Sequence, residues 1–173
     1  MEQARSFVWG MQPTIANYQP LLATERKTEI DYLLNIAKIR YQGLKYLLYG
    51  KFLRSPALEI PKEELKISRL SIYAGRYGES ITTFTGDFPL VYSGTWKSDD
   101  QQLGIALASI SDDPFRIRFS FAATDYEIPA SGKIYIIDEK GRRFLTTYLN
   151  NKIEINFLLQ SRGLCLLEII PDI

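Results

Sequence analysis

Phe115-Arg116-Ile117-Arg118-Phe119-Ser120-Phe121 alternates apolar and polar residues without interruption. Successive side chains of a strand point to opposite faces, so this stretch reads as a strand with one buried and one solvated side. Ser111-Asp112-Asp113-Pro114 precedes it, a cluster of turn formers. The same grammar extends in both directions. Leu103–Ile110, Lys133–Ile137, Phe144–Tyr148, Ile153–Phe157 and Leu164–Ile170 are further strand candidates, and so are Leu65–Tyr73 and Phe88–Tyr92. Pro129-Ala130-Ser131-Gly132, Asp138-Glu139-Lys140-Gly141, Asn150-Asn151 and Ser161-Arg162-Gly163 separate them. Strands at short, regular spacing with turn signals between them predict an antiparallel β-sandwich over 51–173 rather than alternating βαβ units. Leu164-Cys165-Leu166-Leu167-Glu168-Ile169-Ile170 is apolar enough to be covered on both faces, and Pro171 ends it.

Upstream the period changes. Ile30, Leu33, Leu34, Ala37, Tyr41, Leu44, Leu47 and Leu48 recur at three- and four-residue steps, which predicts one long amphipathic α-helix over 24–50. Acidic Glu25, Glu29 and Asp31 come early and basic Lys38, Arg40 and Lys45 late, an order that suits the helix dipole. Thr24 or Thr28 is the expected N-cap, Gly50 the expected left-handed C-cap, and Gly43 a point of division. Ile36 and Ile39 widen the apolar face, implying contact on more than one side. Residues 1–23 read as an irregular segment in which Phe7-Val8-Trp9-Gly10 forms a brief buried strand, followed by a loop bounded by Pro13 and Pro20. The fold class expected is therefore mainly β, a sandwich with a helix packed on or beside it.

Composition narrows the chemistry. With no histidine in the chain, Ser-His-Asp and Cys-His nucleophile systems and His-containing zinc or iron sites are excluded within it. Cys165, the single cysteine, lies in an apolar run and reads as a small buried hydrophobe. Lys+Arg number 21 against 20 for Asp+Glu, so nothing in the overall charge attracts nucleic acid or anionic lipid. Arg116 and Arg118 read as a solvated sheet face. No signal peptide or transmembrane segment is read in the chain, and no metal or cofactor is expected.

Taken in order, Phe7-Val8-Trp9-Gly10-Met11-Gln12-Pro13-Thr14, the stretch Glu29–Tyr49, the exit Tyr49-Gly50-Lys51-Phe52-Leu53-Arg54, and then Trp96, Leu103–Ala108 and Ser111–Pro114 resemble the end of a bacterial (β/α)8-barrel glycoside-hydrolase-like family. There a last barrel strand and helix lead into a C-terminal sandwich. The resemblance implies a non-catalytic accessory region that supports or assembles a catalytic barrel, whose other units, absent from this chain, supply the carboxylates. The partner it implies is that barrel; the wide apolar face of the N-terminal helix makes a second copy of the chain the other partner expected.

No catalytic residues are assigned. Glycoside hydrolysis calls for two carboxyl groups about 5–9.5 Å apart across the scissile bond, whereas Asp99-Asp100 and Asp112-Asp113 read as turn residues and Glu63-Glu64 as part of a polar connector. An oligomerisation or interaction unit, or a carbohydrate-binding module, is the alternative. Its candidate contacts are Trp9, Gln12 and Asn17, at what would be the mouth of a barrel, and Tyr77, in the glycine-flanked loop Gly75–Ser80. The aromatics Tyr73, Phe84, Phe88, Tyr92 and Trp96 read mainly as core.

Overall fold

A computed structural model describes residues 1–14, 18–69 and 82–172. Asn17, Tyr73, Tyr77 and the Gly75–Ser80 loop lie outside them. The chain divides into two compact units, one comprising Met1–Glu59 with Val91–Ile173 and the other Ile60–Leu90.

The smaller unit is a hairpin. β2 (Lys62–Arg69) and β3 (Thr82–Pro89) pair antiparallel over their full length, from Lys62 opposite Pro89 to Arg69 opposite Thr82. Glu63 and Glu64 therefore belong to a strand and not to a connector. The candidate strand Phe88–Tyr92 also divides, because Leu90 separates β3 from β4.

The larger unit is built on a six-stranded antiparallel sheet of order β1-β4-β5-β10-β7-β8. Its strands are β1 (Lys51–Leu53), β4 (Val91–Lys97), β5 (Leu103–Ser109), β7 (Gly132–Asp138), β8 (Gly141–Tyr148) and β10 (Leu164–Pro171). Every residue of β5 is buried, and so are the first six of β10. These two central strands are covered on both faces, as the apolar run in β10 predicts.

Helices cover one face. α1 (Glu2–Val8) lies on β4 and β5, α3 (Lys27–Gln42) on β7 and β10, and α4 (Leu44–Leu47) on β4 and β5, while α2 (Leu22–Glu25) adjoins α3. Phe7, Val8, Ile36, Ile39 and Leu47 bury themselves against Ala106, Ala108, Ile137 and Leu166. Glycines make the approach possible. A Cβ on Gly94 would lie 2.0 Å from the Val8 carbonyl oxygen, and one on Gly104 would lie 2.6 Å from the Tyr46 ring.

The opposite face carries a two-stranded ribbon, β6 (Phe115–Ala122) paired with β9 (Lys152–Leu159). The alternation at Phe115–Phe121 appears as expected, with Ile117 and Phe119 buried and Arg116, Arg118 and Ser120 exposed. Ile153, Ile155 and Leu159 complete the ribbon's inner row. Phe157 and Leu159 share a cleft with Ile136 and Cys165 of the large sheet. The turns fall where the turn formers stand: Asn150, Asn151 and Arg162 adopt left-handed backbone, and Gly141 has φ +103° in the β7–β8 hairpin. The mainly-β antiparallel fold with a long N-terminal helix is as the sequence predicts.

Three local expectations fail for identifiable reasons. Phe7 and Val8 lie in helix α1, which Trp9 terminates, so no strand forms there. The apolar residues Ala4, Phe7 and Val8 are spaced for one helical face, and that face is what the sheet buries. The helical stretch of 24–50 divides at Gly43 (φ −102°, ψ 20°), the expected point of division, but it also breaks at Arg26 (φ −124°, ψ 37°), so its long helix begins only at Lys27. At Gly43 the helix presses so close to the sheet that a Cβ would lie 2.4 Å from the Leu166 side chain. Finally, neither Thr24 nor Thr28 caps a helix: Arg26 precedes α3 without a side-chain cap, and only Gly10 and Gly141 among the described glycines have positive φ, so Gly50 is no left-handed cap.

Candidate functional site

The acidic side chain that the fold places deepest is Glu168, in the middle of β10. A carboxylate inside a doubly covered strand is costly unless it is paired, and two elements supply partners. From α4, Lys45 Nζ lies 3.0 Å from Oε1, and the Tyr46 hydroxyl donates to the same oxygen at 3.1 Å. From β8, Arg142 Nε donates to Oε2 at 2.7 Å. Lys45 also donates to Gln102 Oε1 at 2.6 Å, which brings in the β4–β5 turn. Arg142 stacks over the Tyr135 ring at 3.6 Å.

The electrostatics follow from this geometry. Burial pushes the Glu168 carboxyl upward, but hydrogen bonds and charge from Arg142 and Lys45 outweigh it and hold the group below the ordinary glutamate range. The Tyr46 phenol moves the other way: burial raises it, and the neighbouring Glu168 charge raises it further. The carboxylate at this site is thus ionised at neutral pH, with both oxygens held by protein donors. An ionised carboxylate with each oxygen held by a cation can fasten three elements together. It is poorly suited to act as a general acid or a nucleophile, since its lone pairs are engaged. Sequence reading passed over Glu168; the signal was present as the lone acid in an apolar run.

A second buried acid, Asp138, ends β7. Its carboxylate pairs with Arg143 and accepts from the Lys140 backbone N–H at 2.9 Å, closing the β7–β8 turn. Cys165 lies beside it, completely buried. Burial drives its thiol upward, with the Asp138 charge adding to the effect, so the cysteine is a packing residue as the sequence reading holds.

The turn carboxylates are tied locally. Asp100 accepts from the Ser98 hydroxyl, and Asp112 accepts from Arg162 Nε at 2.6 Å. Among the described residues, no group of three His, Cys, Asp or Glu side chains is placed to hold a metal.

Three open depressions run along the connector that follows β1. Their volumes are about 420, 540 and 730 Å3; Leu53, Asp125 and Tyr126 join the first to the second, and Ala57 and Ser120 join the second to the third. Their polar walls are occupied by internal bonds. The Tyr126 hydroxyl donates to the Arg54 carbonyl at 2.8 Å, and Lys97 Nζ donates to the carbonyls of Tyr126 at 2.9 Å and Glu127 at 3.2 Å. Burial, reinforced by Asp125, pushes the Tyr126 phenol to about 12.

Of the sequence candidates for sugar contact, Trp9 is 48% exposed at the end of α1, with the Arg5 guanidinium 4.7 Å above its ring. Gln12 is exposed three residues on. None of the described depressions includes either residue. Tyr92 and Trp96 pack against the helix-side core, and the Trp96 indole N–H donates to the Val8 carbonyl at 3.1 Å. Arg116 and Arg118 lie on the exposed ribbon face.

No protein-family model matches the chain, and no curated protein matches its sequence. Among solved structures, the chain is similar to a protein from Bacillus halodurans C-125 that is provisionally named an alpha-N-acetylgalactosaminidase, at 13% identity and a TM-score of 0.45. The similarity covers 99% of this chain and 30% of that one, so the chain spans less than a third of the neighbour's length.

Proposed function

We propose that this chain is an accessory region of a glycoside-hydrolase-like protein, one that supports or assembles a catalytic barrel and performs no chemistry of its own. The glycosidase association comes from the sequence resemblance set out above. The accessory role draws on one observation: the two buried carboxylates among the described residues, Glu168 and Asp138, are each spent on cations of the scaffold. A glycosidase needs an acid and a base or nucleophile facing each other across open space. Here the acids fasten helix to sheet and strand to strand.

The test is hydrolysis of a broad panel of aryl-glycosides by the isolated chain. No turnover above buffer is expected. Turnover abolished by substitution of one carboxylate would overturn the reading.

Carbohydrate binding is the second reading, favoured by the half-exposed Trp9 indole and the exposed Gln12 three residues on. An aromatic face with a neighbouring amide can stack on a sugar ring and bond its hydroxyls. Titration of tryptophan fluorescence with soluble polysaccharides tests it, with Trp9→Phe separating Trp9 from Trp96. Saturable quenching that disappears in the variant supports this reading, and its absence removes it.

A further inference from the structure

Helix α3 has two apolar sides, and the chain uses only one of them. At 100° per residue, Tyr32, Ile36, Ile39 and Gly43 fall on one side, and Ile30, Leu34, Ala37 and Tyr41 fall within about 60° of one another some 160° away. The first group faces the sheet: Ile36 and Ile39 are fully buried, and the Tyr32 hydroxyl donates to the Ser109 carbonyl at 3.1 Å. The second group faces outward, with Leu34 52% and Tyr41 79% exposed and Ala37 exposed between them. These are residues whose period announces the helix, yet Leu34, Ala37 and Tyr41 are exposed and Ile30 is only partly covered.

We infer that the outer stripe of α3 pairs antiparallel with α3 of a second copy of this chain, across a two-fold axis between Leu34 and Asn35. Three features of the helix point to a second copy. Ala37 is small enough for two helices to approach closely. In an antiparallel pair, residues flanking one side of the stripe meet the same side of the copy in reverse order. An axis midway between Leu34 and Asn35 sets Asp31 of each copy opposite Lys38 of the other, since the two residues lie equally far from it on either side. Both are exposed on that flank, and Asp31 is already paired with Lys27 on its own helix, so the contact extends a charge ladder across the axis. Antiparallel helices also oppose their dipoles favourably.

At about 24 Å of helix per copy, the contact lies at the small end of specific interfaces, so a weak, reversible dimer is expected. The inference rests on the accessory reading and deepens it: a self-pairing helix would bring two catalytic barrels together. Its test reads mass and not turnover, so either reading can fail alone.

Sedimentation equilibrium of the whole chain between about 5 and 500 µM is the measurement. A monomer–dimer equilibrium is expected. Leu34→Glu with Tyr41→Glu should abolish it while leaving the far-UV circular dichroism unchanged, because neither side chain belongs to the core. Lys38→Glu and Asp31→Lys should each weaken it by about tenfold, and the two together should restore it to within about threefold. A chain that stays monomeric at the highest concentration overturns the inference. So does a dimer indifferent to the stripe substitutions, or a charge exchange that fails to restore association.

Discussion

Lys45 and Glu168, 123 positions apart in sequence, meet with their charged atoms 3.0 Å apart, joining α4 to the most buried region of the central sheet. With Tyr46 and Arg142 they make the link that holds the helix layer on its sheet. Its consequences can be measured.

Replacing Glu168 with Gln should destabilise the fold by about 2 kcal/mol, and Lys45→Ala by about 1 kcal/mol or less. The order follows from burial. Glu168 is 7% exposed, whereas Lys45 and Arg142 are each about 40% exposed and recover solvent when unpaired. Urea denaturation followed by circular dichroism gives both values, and equal losses would contradict the asymmetry.

The same carboxylate sets a pH dependence. A carboxyl held low in the folded state contributes stability that is fully present above its unfolded value, about 4.3, and is lost as pH falls through the folded value. Wild-type protein should therefore lose urea resistance as the pH drops below about 4, and part of that loss should be missing in Glu168→Gln. Midpoints measured from pH 7 to pH 2.5 on both proteins show whether the difference closes at the acid end.

Glycines at the helix–sheet contact should tolerate nothing larger. Gly94→Ala places a Cβ 2.0 Å from the Val8 carbonyl oxygen, and the backbone on either side must move, at a cost of about 3 kcal/mol. Gly141→Ala meets no atom within 4 Å but must hold φ +103°, a cost of about 1–2 kcal/mol through the backbone alone. Thermal denaturation of the two variants separates steric from conformational penalties, and a milder effect at Gly94 than at Gly141 would be inconsistent with this packing.

Cys165 should react with a disulfide-exchange reagent only when the fold opens. It is fully buried, and its thiol is pushed upward by burial, so the native protein offers almost no thiolate. The labelling rate in increasing urea should follow the unfolded fraction, and fast labelling in native buffer would show that the β10 strand is accessible.

Much of this architecture was legible in the linear order of residues. The alternation at Phe115–Phe121, the turn formers around Asn150-Asn151 and Arg162-Gly163, and the continuous apolar run of β10 are local signals, because side-chain direction in a strand repeats every second residue. They determined the antiparallel β fold and the burial of Cys165. Where one helical turn overlaps one strand pattern, the local signal is ambiguous, and Phe7-Val8 is helix with Ala4, Phe7 and Val8 on the one face that the sheet buries.

Other features depended on distant partners. A three- and four-residue period says that a helix has an apolar stripe; it does not say which stripe a sheet will bury. On α3 the sheet took Ile36 and Ile39 and left Leu34 and Tyr41 outside, a choice made by the close approach at Gly43 and by Tyr46 reaching Glu168. The role of Glu168 was likewise settled only by folding. Its residue type states that it needs a partner when buried, but Lys45 and Arg142 come from elements far away in sequence and adjacent only in the folded sheet. Sequence determined which surfaces are apolar and which groups are charged; tertiary packing decided which of them meet, because burial and ion pairing act through space and not along the chain.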